Sequence, residues 1–91
     1  MKTNAVISVL GRDKIGIVAK VSGVLAECGV NIDDIQQTIL DDVFSMTMLV
    51  TLDEDKVGFY DVQQKLEDAG RELGLQVRLQ RRDVFDFMYK V

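Results

Sequence analysis

Apolar residues in this 91-residue chain recur at two periods, and the periods follow one another in a single order: strand, helix, strand, strand, helix, strand. That succession constrains the fold more than any one motif does. A period of two puts alternate side chains on one face of a strand, whereas a period of about 3.6 gathers them into a stripe along a helix. Each element then has an apolar side to hide, and the elements must pack so that all are hidden together.

The first strand is expected over about Thr3 to Leu10, where Val6, Ile7, Val9 and Leu10 make the nearly continuous apolar run of a central strand. A helix follows from about Ile15 to Cys28. Its stripe is Val18, Val21, Leu25 and Cys28, widened by Ile17 and Val24, and Gly29 stops it. The second strand, about Val30 to Leu40, changes parity part-way. Val30 and Ile32 keep one phase, Ile35 and Ile39 the other, so a bulge is expected near Asp33-Asp34. Asp41-Asp42 makes a two-residue turn. The third strand, Val43 to Leu52, alternates cleanly, with Phe44, Met46, Met48, Val50 and Leu52 on one face. Asp53-Glu54-Asp55 brings negative charge and capping oxygens to the start of a second helix, about Val57 to Leu73, which ends at Gly74. A fourth strand covers about Leu75 to Arg82. The tail from Asp83 to Val91 reads as a short helix with Val84, Phe87, Met88 and Val91 on its apolar side and Asp83 at its cap.

The economical packing of this order is an α+β domain over residues 1–91. It has a four-stranded antiparallel sheet with both helices on one face, the ferredoxin-like βαββαβ arrangement. The first and third strands would be central, the second and fourth edges. The other face mixes Ser, Thr and Gln with Leu and Ile, so something is expected to cover part of it.

Residue types then narrow the function. With no His and one Cys, a His/Cys zinc site, an iron–sulfur cluster and His-based catalysis are excluded, and neither a metal nor a cofactor is implied. No nucleophile–base pair is visible, so an enzyme is not expected. The lone thiol, Cys28, fits a reducing compartment and hence the cytoplasm. A net charge of −4 argues against nucleic acid as a partner. No apolar run approaches about 18 residues, so no membrane helix is expected. The start, MKTNAVISVLGRD, meets charge too soon for a signal peptide. Asp33, Asp34, Asp41 and Asp42 match no calcium loop and read as a solvated edge.

Two segments carry binding chemistry. Gly11 to Gly16 joins a buried strand to a helix N-terminus, where free backbone N–H groups favour a carboxylate or phosphate. Arg12 and Lys14 add positive charge there, and Asp13 either caps the helix or holds an ammonium; a plain strand-to-helix turn is the alternative. Asn31, between Gly29 and Ile32, offers two donors and an acceptor, or is simply a turn residue.

The run Gly11-Arg12-Asp13-Lys14-Ile15-Gly16-Ile17-Val18-Ala19, followed by Gly29-Val30-Asn31-Ile32, resembles an ACT domain. Ile35 to Ile39, Phe44 to Val50 and Arg81 to Met88 resemble the small stand-alone ACT proteins of unknown function, a group similar to the ACT portion of the glycine-cleavage transcriptional repressor. The resemblance implies a non-catalytic regulatory module, homodimeric or larger, with sheets often joined side by side. It also implies an amino acid or related metabolite bound between subunits. The matching positions are Gly11, Arg12, Asp13, Gly16, Ile17, Asn31 and Ile32, with Lys14 in the same loop. On this reading Gly11→Val abolishes ligand response and spares the fold. The chain departs from the pattern at Ile15, where many ACT domains have Pro, and at Met88-Tyr89-Lys90-Val91, where the close group tends to have His. The half-apolar sheet face and the tail with Phe85, Phe87 and Met88 support a second reading, an assembly module with no small ligand.

Overall fold

Phe44, Met46, Met48, Val50 and Leu52 alternate along one strand, and all five are buried. The computed structural model describes residues 1–88. Its elements are β1 (Lys2–Arg12), α1 (Ile17–Glu27), β2 (Asn31–Leu40), β3 (Val43–Asp53), α2 (Phe59–Leu73), β4 (Gln76–Arg81) and α3 (Arg82–Met88). The four strands form one antiparallel sheet in the order β2-β3-β1-β4, so β1 and β3 are central and β2 and β4 are edges, as the apolar content implies. Val91, expected to extend the last apolar stripe, lies outside the described residues.

Register fixes the faces. Ile7 pairs with Met48 and Leu79, and Val9 with Met46 and Val77; these side chains form a core with Ile17, Val21 and Leu25 of α1 and Phe59, Val62 and Leu66 of α2. Burial of each such side chain is worth about 1.5–3 kcal/mol. The expected bulge is present: Ile32 pairs with Val50 and Asp34 with Leu49, leaving Asp33 as the extra residue. Beyond it Ile35 and Ile39 regain the core parity, opposite Met48 and Phe44, yet both remain exposed because they lie on the outer edge strand.

Both long helices end alike. Gly29 (φ 70°) and Gly74 (φ 68°) are left-handed, and the next amides, Val30 and Leu75, donate back to the carbonyls of Leu25 and Gly70 at 2.9 and 2.8 Å. The starts differ from expectation. Helix α1 begins at Ile17 and not Ile15, because Gly16 takes a left-handed φ of 92° and the helix cannot extend back through it. Ile15 is left fully exposed. Helix α2 begins at Phe59 behind Gly58, with no side-chain cap, so Asp53, Glu54 and Asp55 are not its capping residues. Asp83 accepts a 2.8 Å hydrogen bond from the adjacent Val84 amide.

The face opposite α1 and α2 is partly covered. Val6 pairs with Leu49 and Gln80 on that side and is nonetheless only 1% exposed. Helix α3 contacts both β1 and β4. Leu10, on the same face, stays half exposed, so β1 is buried on both sides along only part of its length.

Gly11 lies on the core face opposite Phe44, and a Cβ there would overlap Cδ2 of the buried Leu75. Its missing side chain makes room for Leu75, so the expectation that Gly11→Val spares the fold does not hold for this packing. The expected outcome of Gly11→Val is a loss of about 1–3 kcal/mol of unfolding free energy, measured by urea denaturation. An unchanged midpoint would mean that Leu75 repacks without cost.

Candidate functional site

Strand β1 delivers its last residues to the sheet end that also holds the β2–β3 turn. There the Asp13 amide donates to the Asp42 carbonyl at 2.7 Å, and the Arg12 guanidinium lies 3.6 Å from the Asp42 carboxylate. This pins the loop between β1 and α1 to the turn. The Asp13 carboxylate does not cap α1: Gly16 is the cap residue, it makes no side-chain hydrogen bond, and the first turn carries no acidic side chain. Among the described residues no side chain caps the first turn of α1, and nothing stands within 4 Å of where a Gly16 side chain would begin. A small anion placed there would meet outward-pointing N–H groups and the positive end of the helix dipole.

The other loop residues divide by role. Ile17 is core, 2% exposed. Lys14 reaches across to the end of α2, its Nζ 3.7 Å from where a Cβ on Gly74 would sit, a favourable place for a cation beside terminal carbonyls. The Arg12 and Asp13 side chains are exposed, with Arg12 turned toward Asp42.

Asn31 is not beside this loop. It pairs with Thr51, which pairs with Asn4, at the opposite end of the sheet. From Asn4 to Gly11 is seven residues of strand, about 24 Å at about 3.4 Å per residue. The Asn31 amide donates to Asp33 Oδ1 at 2.6 Å, and Thr51 donates its hydroxyl to Asp33 Oδ2 at 2.5 Å. Ile32 next to it packs against the core. One copy of the chain therefore brings Gly11, Arg12, Asp13, Lys14, Gly16 and Ile17 together but leaves Asn31 and Ile32 apart from them.

A third constellation escaped the sequence reading. Arg81 ends β4 on the core side, holds Glu54 through two hydrogen bonds of 3.0 Å, and lies over the Phe59 ring 4.3 Å from its centre. Thr3 donates to the same carboxylate. The hydrogen bonds from Arg81, with that from Thr3, hold the Glu54 carboxyl down at about 2, against an ordinary 4.5. The cluster ties the loop before α2 to β1 and β4. Nothing in the sequence pattern pairs residue 54 with residue 81; only the sheet order does. Among the described residues no group of three or more His, Cys, Asp or Glu side chains is placed to hold a metal ion. No described helix is long and apolar enough to cross a membrane.

The ACT domain family model matches residues 3–80. This chain belongs to the ACT domain family. Its relatives include a UPF0237 protein of Methanocaldococcus jannaschii, 48% identical over 98% of this chain and 99% of that protein. Among solved structures, an ACT domain protein from Streptococcus pneumoniae is 42% identical, covers 96% of this chain and 98% of that one, and superposes with a TM-score of 0.79. A protein described as a glycine cleavage system transcriptional repressor shares the fold at 23% identity and a TM-score of 0.80, covering 89% of this ACT domain and 46% of its own length. The ACT assignment and the likeness to that repressor's fold agree with the resemblance read from the sequence.

The Glu54 cluster gives a pH signature. Because its carboxyl titrates lower in the folded chain than in the unfolded one, its contribution is complete above about 4.5 and disappears as the pH falls toward about 2. Glu54→Gln is expected to lower the thermal midpoint at pH 6 and to flatten its fall between pH 5 and 2, followed by circular dichroism. Parallel curves for the two proteins would show that Glu54 is not coupled to folding.

Proposed function

We propose that this ACT domain is a non-catalytic regulatory module of the cytoplasm, one domain over residues 1–91. It binds an amino acid or related metabolite between two copies of the chain. One observation carries the reading: the uncapped start of α1 and the amide of Asn31 lie at opposite ends of one sheet, so a ligand that uses both needs two chains. Strand β2 is an edge whose outer side pairs with no strand among the described residues. Antiparallel pairing of two such edges about a two-fold axis carries Asn31 of one copy toward the end that bears the Gly11–Gly16 loop of the other. The ligand carboxylate would then face the α1 amides and Arg12. Its ammonium would face Asp13 or the Asn31 carbonyl oxygen, a match of both charges of a zwitterion.

The test has two stages. Thermal unfolding against a panel of common amino acids is expected to give one selective shift. At about 100 times the dissociation constant the ligand stabilises by about 2.7 kcal/mol, or about 10 °C and more for a chain this short. Arg12→Ala and Asn31→Ala, both at exposed positions, should each abolish that shift. Refolded together they should recover about a quarter of the sites, since a mixed dimer keeps one site whole. Recovery of none would sink the shared site, and a flat panel would favour an assembly module without ligand.

A further inference from the structure

The sheet face opposite α1 and α2 has a charge pattern that complements itself. Along its β4 side stands Arg78; along its β2 side stands Asp34, and neither makes an ion pair among the described residues. Arg78 is level with Ser8, Thr47 and Gln36 across the sheet. Asp34 is the next residue of β2 on that face, about 7 Å along the strand. Between the two edges the face carries Ser8 and Thr47 in its middle and Asn4, Thr51 and Asn31 toward the end of β1 that precedes Val6. Leu10, Leu40 and Val43 are exposed at one end, and Phe87 of α3 is 82% exposed at the other.

We infer that this face is where a second copy of the chain docks, sheet against sheet. Consider a two-fold axis parallel to the strands, lying above the gap between β1 and β3. It reverses the strand order, so the partner's β4 passes over β2 and the partner's β1 over β3. Arg78 of each copy then comes within side-chain reach of Asp34 of the other, and the symmetry makes the pair twice. The same rotation carries the partner's α3 from its own β1–β4 side to the β2–β3 side. There a hollow of about 200 Å³ lined by Asp34, Ile35, Gln36, Thr47 and Leu49 lies open, and Phe87 is the large apolar side chain at hand to fill it. A partner of one charge sign would match only half of the face; a second copy matches both halves. This docking does not involve the β2 outer edge invoked for ligand binding, and it stands or falls separately.

A charge-swap series read by sedimentation velocity tests it. Arg78→Glu and Asp34→Lys are both at exposed positions, and each is expected to weaken self-association by about tenfold, because the symmetry removes two pairs at once. The double variant restores the pairs with their signs exchanged and should return to the wild-type dissociation constant. Arg78 is on the strand farthest from the β2 edge, so edge-to-edge pairing alone predicts no effect of Arg78→Glu. A second readout keeps the proposal testable if the shifts are small. In a Cys28→Ser background, a Phe87→Cys chain mixed with a Gln36→Cys chain should form a disulfide-linked heterodimer under mild oxidation. Single variants that leave the mass distribution unchanged, a double variant that fails to rescue, or a wild-type chain that stays monomeric up to millimolar concentration would each overturn the inference.

Discussion

The antiparallel pairing of β1 with β3 is the constraint on which the rest depends. It runs the full length of both strands, Lys2 opposite Asp53 through Arg12 opposite Val43, and joins residues some forty positions apart in the chain. Closing that separation costs loop entropy, and burial of both strands' inward side chains offsets it. Once the register is set, every other position follows. Strand β4 adds to the free side of β1 and β2 to the free side of β3. The same parity that sends Ile7 and Met48 inward sends Val6 and Leu49 outward. A slip of one residue would turn the apolar row of β3 toward water.

The bulge at Asp33 is the one departure from regular pairing that the register absorbs. It lets Ile32 meet the core beside Val50 and still brings Ile35 back to the parity of Met48. The extra residue is also used: its carboxylate takes the Asn31 amide and the Thr51 hydroxyl. Asn31 therefore enters any ligand chemistry already oriented, with its amide nitrogen turned toward its own chain.

Fold and candidate site were legible to different degrees, for physical reasons. The strands and helices were readable because their periods differ and because Gly29 and Gly74 end both helices with left-handed residues. Helix starts were less readable. Asp13 and Asp53 look like caps by residue type, but Asp13 is committed to the β2–β3 turn by its own amide, while Asp53 and Glu54 are drawn to the chain's first ammonium and to Arg81. These competitors come from distant sequence. In the Gly11–Gly16 loop the sequence shows the glycines and charges but not their neighbours: Gly11 makes room for Leu75, and Lys14 lies at the end of α2.

By itself the sequence determined the succession of elements, the inward rows of side chains, the bulge and the membership of the ACT family, because all of these are written in local periods and short motifs. It also excluded chemistry that needs histidine or several cysteines. Only the tertiary structure decided that Asn31 and the Gly11–Gly16 loop stand at opposite ends of the sheet, that Arg81 and Glu54 meet, and that Val6 is buried while Leu10 and Leu40 stay open. The reason is common to all three. Distance along the chain carries no information about distance through space until strand order and register are fixed, and those depend on how the buried faces fit against one another.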